Sequence, residues 1–420
     1  MPAPGSGKSA GLNRPRPAIM PDRILTTHVG SLPRPQAVLD ALVQMESDAG
    51  MDAAAFDAVM AQAVIDVVAR QRGAGIDWCS DGEQSKASYA NYIRHRLHGF
   101  GERGPALRGA DLTDFPGFFE RLKERRGSAL RLHRPCCIGP VSVKDEAPLH
   151  ADIARFRAGL TAAGLSTGFM NAASPGVIAV FQPNRHYPTQ ADYLEALAQA
   201  MRSEYHAIAA AGLMLQIDCP DLAMARHLVY PELSDGEFLA IAQTQVEALN
   251  HALDGIPAHQ VRMHLCWGNY EGPHHRDIGL EKIFALVMKV NAQTLLFEAA
   301  NPRHAHEWQV FREYRHLIPP DKVLVPGVIS STSNYIEHPR LVAERLLRFA
   351  DLVGRERVMA GSDCGFSTFA GDGLVDPDIC YAKFRAMAEG AHMASDQLWG
   401  RNYAARPGPP GHIHMKGLHL

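Results

Sequence analysis

Past the midpoint of the chain runs Val261-Arg-Met-His264-Leu-Cys266-Trp-Gly-Asn. Side chains of an extended strand alternate faces, so His264 and Cys266, two apart, point to the same side and can reach one ion. Further on, Thr294-Leu-Leu-Phe-Glu298 closes an apolar run with a carboxylate, a charge that is costly to bury without a partner. A later run, Val-Met-Ala-Gly-Ser-Asp363-Cys364-Gly365, ends the same way with a thiol. One imidazole nitrogen, two sulfurs and one carboxylate oxygen make a tetrahedral donor set suited to zinc. Each residue alone reads equally well as part of a core, since free cysteines are among the most buried types and lone strand histidines are commonly hydrogen-bonded core groups. What joins the four is their common place at the ends of apolar runs.

Such a set needs a scaffold that brings distant run ends to one rim. Apolar runs that read as strands cover 24–29, 76–80, 135–141, 165–171, 214–218, 261–266, 294–298, 322–328 and 357–361. Between them, 54–72, 193–211, 237–253 and 341–353 repeat apolar residues at three and four, the helical period. Ser234 with Glu237 has capping-box spacing, and Gly73, Gly212, Gly255 and Gly354 stand where left-handed C-caps would fall. Strand alternating with helix implies a parallel sheet with helices outside it. Nine candidate strands exceed the eight of a barrel by one, so one is expected to form a hairpin or an extra edge. A doubly wound nine-stranded sheet competes. Its nucleotide-binding version is disfavoured, because the first strand is followed by Thr27-His-Val-Gly-Ser-Leu-Pro-Arg-Pro35, which lacks dinucleotide or phosphate-loop glycine spacing. The expected fold is therefore α/β, a single (β/α)8 TIM-type barrel over residues 23–400, with its active site at the C-terminal strand ends. Residues 1–22 and 401–420 read as a disordered leader and tail, too rich in Pro, Gly and polar residues to bury surface.

Composition narrows the partners. Against 42 Lys plus Arg stand 45 Asp plus Glu, a formal charge of −3, which gives no electrostatic case for nucleic acid or an anionic membrane. No apolar window is long enough to span a bilayer, and the first residues lack the apolar core of a secretory signal. Seven cysteines are odd in number and sparse for this length, so they read as reduced thiols in a cytoplasmic protein. The expected partners are small molecules, and oligomeric state is left open.

The chain resembles the catalytic barrel of the cobalamin-independent methionine synthase family, from about Arg23 to about Glu389. The stretches that carry the resemblance are Thr26-Thr27-His28-Val29-Gly30-Ser31-Leu32-Pro33-Arg34, Asp81-Gly82-Glu83, Gly139-Pro140-Val141, Gln216-Ile217-Asp218, His264-Leu-Cys266, Glu298, Pro326-Gly327-Val328-Ile329 and Asp363-Cys364-Gly365. It implies a catalytic zinc held by His264, Cys266, Glu298 and Cys364, and a thiol-bearing amino acid held by Gly30, Ser31, Glu83 and Asp218. Two thiolates and a carboxylate set −3 against the ion's +2, an electron-rich site unsuited to polarising a carbonyl. The implied chemistry is instead that zinc takes up a substrate thiol, displaces its proton and leaves the sulfur to attack an activated carbon in line. Glu298, the hardest donor, is the ligand expected to yield when the thiol arrives.

Four departures bear on substrate. Full-length members carry two barrels, so this chain corresponds to the catalytic half. The family's folate-stacking tryptophan after Gly139-Pro140-Val141 is absent from Ser142-Val143-Lys144-Asp145-Glu146. Its Gln-Ile-Asp-Glu-Pro becomes Gln216-Ile217-Asp218-Cys219-Pro220, and its proton-donating histidine is replaced by Thr332. His274, His275, His304 and His306 are candidate substitutes, none assigned. The resemblance thus implies a zinc-dependent thiol methyltransferase whose folate donor the missing tryptophan argues against. The alternatives are a non-folate alkyl donor, such as an epoxide opened by a coenzyme M-type thiol, a metal-free uroporphyrinogen decarboxylase-type enzyme, and a structural zinc protein. The run Trp267-Gly-Asn-Tyr-Glu-Gly-Pro-His274-His275 is a rim loop that either shapes a donor pocket or merely covers the barrel mouth.

Overall fold

A computed structural model describes residues 22–46, 51–105, 107–125 and 134–400; the expected tail, and all but the last residue of the expected leader, lie outside them. Nine strands occur among the described residues: β1 Leu25–Thr26, β2 Leu97–Arg103, β3 Pro135–Val143, β4 Phe169–Ala173, β5 Met214–Asp218, β6 Val261–Leu265, β7 Thr294–Phe297, β8 Val323–Ile329 and β9 Met359–Ser362. Seven of them form one parallel sheet in the order β1-β9-β8-β7-β6-β5-β4. The remaining gap, between β1 and β4, is closed by segment 76–80. Ser80 bridges Phe169 in parallel, and the amides of Asp77 and Trp78 both donate to the Thr26 carbonyl. Eight chain segments therefore surround one axis as a TIM-type barrel.

The surplus strand is the expected hairpin. β3 pairs antiparallel with β2, outside the barrel wall. Segment 76–80 falls short of a full strand for a local reason: the Gln71 side chain takes both the Ser80 amide (2.9 Å) and its carbonyl (2.8 Å), groups a ladder would have used. The four expected helices appear as Ala53–Gly73, Gln190–Ala210, Asp235–Ala252 and Pro339–Val353, and Ser234 and Glu237 form the reciprocal capping box. Gly73 proves to be the last helical residue rather than a cap; Gly75, at φ 89°, makes that turn, while Gly212, Gly255 and Gly354 do have positive φ. Among the described residues no helix is long and apolar enough to cross a membrane.

Strand β6 explains how the wall is built. Val261, Met263 and Leu265 join the apolar layer under the helices, as expected for a parallel sheet buried on both faces. The alternate residues, Arg262 and His264, face the barrel axis, with Cys266 next at the rim. Arg262 is buried, donates to Thr27 Oγ1 and the His28 carbonyl at 3.1 Å each, and lies 3.9 Å over the Phe169 ring. The axis is thus plugged below the chemistry-bearing rim by a buried arginine held through Nη2 and the Phe169 ring.

Candidate active site

His264, Cys266 and Cys364 converge: their donor atoms lie within 4.8 Å of one another, the two sulfurs being 2.9 Å apart. The convergence has identifiable supports. Asp363 accepts from the amides of Ala299 (2.9 Å) and Ala300 (2.8 Å), tying the end of β9 to the end of β7 and so Cys364 to Glu298. Gly365 packs tightly on Ser31: a Cβ there would sit 2.0 Å from its Oγ and 3.2 Å from its Cβ and amide nitrogen. The Gly268 amide reaches Cys266 Sγ at 3.2 Å. Glu298 stands just behind, its Oε1 4.0 Å from Cys364 Sγ; the Trp267 amide donates to Oε1 (3.0 Å) and Asn301 Nδ2 to Oε2 (2.8 Å).

The electrostatics of this group fit a cation. His264 Nδ1 is buried without a hydrogen-bond partner, and burial, reinforced by Arg262, lowers the ring to about 3, so it is a neutral imidazole with a lone pair to give. The hydrogen bond between the two thiols favours ionisation of Cys266, yet burial and the Glu298 charge outweigh it and push Cys266 up to about 11; burial also drives Cys364 well above the usual thiol range. Two thiols and a carboxylate packed this closely stay protonated at the sulfurs until positive charge is supplied, which a divalent metal would do.

Beside the sulfurs opens a cavity of about 230 Å³ lined by Ser31, Glu83, Asp218, His264, Cys266 and Cys364 among others. Gly30 lies one residue behind, its Cα against the Asn171 side chain. Glu83 has the left-handed φ of 53°, held by its amide donating to Asp81 Oδ1 (3.0 Å) and by Arg34 donating to its carbonyl (2.7 Å). Its Oε2 is buried and unpartnered. Burial raises Glu83 to about 7 and Asp218 to about 6, and the two carboxylates repel each other. Asp218 accepts from Asn171 Nδ2 at 3.0 Å. A cavity with two such acids at one side suits the ammonium group of an amino acid.

Loop 267–275 belongs to the pocket as well as covering it. Gly268, Asn269 and Tyr270 line the cavity, and Asn269 donates to the Gly365 carbonyl (2.7 Å) and Thr368 (2.6 Å), clasping the loop to the Cys364 turn. Tyr89, Phe181 and Phe369 also line the cavity, rings packed edge to face at 5.6 and 5.9 Å. Gly139-Pro140-Val141, by contrast, sits on the β2–β3 hairpin away from the cavity lining. Thr332 bonds to Ser330 and does not line it. Of the four histidines offered as proton donors, His275 and His306 are exposed, and His274 and His304 are buried beside the cavity. His227, which sequence reasoning missed, lines it.

A TIM-type barrel with sulfur, imidazole and carboxylate groups at its C-terminal rim defines the class. Residues 141–376, more than half the chain, match the family described as the catalytic domain of cobalamin-independent synthase, and the chain belongs to that family. It is 23% identical over 382 residues to the methionine synthase of Saccharolobus solfataricus, spanning 90% of this chain and 97% of that one. With the methionine synthase of Sulfurisphaera tokodaii it shares 23% identity over 385 residues, 90% and 94% of the two chains. Both relatives are thus matched nearly end to end. Its fold is that of the B12-independent methionine synthase from Shewanella sp. W3-18-1, solved in complex with selenomethionine, at a TM-score of 0.67 and 18% identity over 90% of this chain and all of that one. The protein is a methionine synthase-like enzyme.

Proposed function

We propose that this enzyme transfers a methyl group to the thiol of homocysteine or a closely similar amino acid, with zinc held by His264, Cys266, Cys364 and Glu298. The observation that carries the reading is the opening of one cavity onto both the His264–Cys266–Cys364 group and the buried Glu83–Asp218 pair. When bound, zinc would lower the pKa of a substrate thiol and keep its sulfur nucleophilic at neutral pH. The chain's own residues then do the positioning. Glu83 and Asp218 hold the ammonium group, and Gly30 with Ser31 receives the carboxylate. Glu298, secured by Trp267 and Asn301, would be the oxygen donor of the set, the one a substrate sulfur would most readily replace.

A folate is still a candidate donor, because Tyr89, Phe181 and Phe369 supply the aromatic surface that the Gly139-Pro140-Val141 loop lacks. Neither the epoxide-opening nor the decarboxylase alternative draws support from the family match or the relatives. The test is to incubate zinc-loaded enzyme with homocysteine and a panel of methyl donors and to follow methionine by mass spectrometry. Methionine formed with at least one donor supports the reading; its absence with all of them, at full zinc loading, overturns it.

A further inference from the structure

Asp277 lies buried between the rim loop and the helix Leu280–Val287, and three imidazoles meet it. His274 Nδ1 is 2.8 Å and His304 Nε2 2.9 Å from Asp277 Oδ2, while His227 Nδ1 is 3.1 Å from Oδ1. The first two rings are committed at both nitrogens: His274 Nε2 faces the Tyr270 carbonyl (3.1 Å), and His304 Nδ1 faces Glu307 (3.0 Å) while the ring stacks on Trp267. Acceptors at both nitrogens are satisfied only by imidazolium. Against the cost of burial, the hydrogen bonds that its ring donates to Asp277 and Glu307 raise His304 to about 10, and donation to Asp277 likewise raises His274.

His227 differs from its neighbours. It stands on the short helix Ala225–Leu228, after the loop that leaves β5, and its ring lines the cavity that also exposes Cys266. Its Nδ1 meets Asp277 Oδ1 as an ion-pair contact outside hydrogen-bond geometry, and among the described residues no hydrogen bond to its Nε2 is found. The ring edge fits against Gly109, where a Cβ would stand 3.4 Å from His227 Cδ2 and 2.6 Å from Asp111 Oδ1. The groups facing the ring are therefore Asp277, with His274 and His304 behind it, and Asp111 beside Gly109. A histidine backed by a buried carboxylate at one nitrogen and open to substrate at the other is the arrangement of a positioned proton donor.

We propose that His227, oriented by Asp277, protonates the leaving atom of the alkyl donor, an assignment that rests on the alkyl-transfer reading above. The thiol sulfur forms a bond to the donor carbon as the bond from that carbon to its leaving atom, nitrogen or oxygen, breaks. The breaking bond's electron pair stays on the leaving atom, which takes the Nε2 proton of His227. The proton shed by the thiol on binding restores His227 through solvent, so thiol and donor give thioether and protonated leaving group with nothing else consumed.

The experiment uses full-length zinc-loaded enzyme, homocysteine, and donors that differ in their need for a proton: methyltetrahydrofolate and an epoxide on one side, a trialkylsulfonium on the other. The sulfonium leaves as a neutral thioether and needs no acid. His227→Gln is expected to lose about 10²–10⁴-fold in rate with the first kind and to change little with the second, at an unchanged melting temperature. Where only donors of the first kind turn over, added imidazole should restore His227→Ala. Equal losses with both kinds, no loss with either, turnover of the sulfonium alone, or no rescue would overturn the assignment. Wild-type enzyme that alkylates homocysteine with none of the donors would instead remove the reading beneath it.

Discussion

At the sulfur centre, Cys266, Cys364 and Glu298 surround a neutral His264 with no cationic side chain among the four. A few residues along the same loop, Asp277 is met by His227, His274 and His304, two of which the surrounding acceptors hold as cations. Both clusters are buried, and both are made of histidine with acids or thiols. The first collects potential negative charge and lacks a counter-ion; the second carries its own. Buried charge is stable only when paired, so the first cluster suits an added cation while the second already pairs its own charges. It also separates their tolerance: removing a sulfur should abolish ligand binding at the first, whereas removing the central carboxylate, Asp277, should disrupt packing at the second.

The largest effect should follow from breaking the sulfur centre. Cys266→Ala or Cys364→Ala is expected to remove stoichiometric zinc by elemental analysis and to lower activity well beyond the 10–100-fold typical of groups that only support a ligand, with little change in the circular dichroism of the apoprotein. Asp277→Asn tests the other cluster: leaving two buried imidazoliums short of their counter-ion should cost about 3–5 kcal/mol in denaturant unfolding while zinc content is retained. Glu298→Gln, which keeps a neutral oxygen donor in place of the carboxylate, should weaken zinc binding less than loss of either sulfur does, measured by competition with a chromogenic chelator.

The smallest effect is the most diagnostic of the amino-acid pocket. Burial raises Glu83 from the ordinary carboxylate range to about 7, so the folded protein holds that proton more tightly than the unfolded chain. Its contribution to stability is therefore present below about pH 4.5 and is lost as pH rises toward 7. Glu83→Gln should raise the melting temperature at pH 8, on the order of 2 °C per kcal/mol recovered, and at the same time raise KM for homocysteine. In the wild type, affinity for the amino acid should strengthen as pH rises through 6–7, where Asp218 and then Glu83 acquire the charges that hold an ammonium. A variant that is both more stable and poorer at binding would mark Glu83 as a site of stored electrostatic strain.

The barrel strands were legible because their apolar runs are buried on both faces, as β6 and β7 are throughout. The sulfur centre was legible for a related reason: period-two alternation puts His264 and Cys266 on one side, and Glu298 and Cys364 stand where apolar runs stop. Segment 76–80 was over-read as a strand, since the Gln71 side chain that takes its backbone groups lies on a different element. His227 was not legible. It sits on a four-residue helix with no periodic signal, and its partner Asp277 lies fifty residues later on a loop. The one available hint was its place after the end of β5, among the βα loops where barrels carry chemistry. Side chains that meet across loops leave no spacing in the chain.

The most direct measurement is zinc K-edge X-ray absorption of the purified enzyme without and with homocysteine. The account predicts two sulfur and two nitrogen or oxygen neighbours at rest, and a third sulfur in place of one oxygen when homocysteine is added. Stoichiometric zinc whose sulfur count does not change with homocysteine, or a protein that retains no zinc, would contradict it.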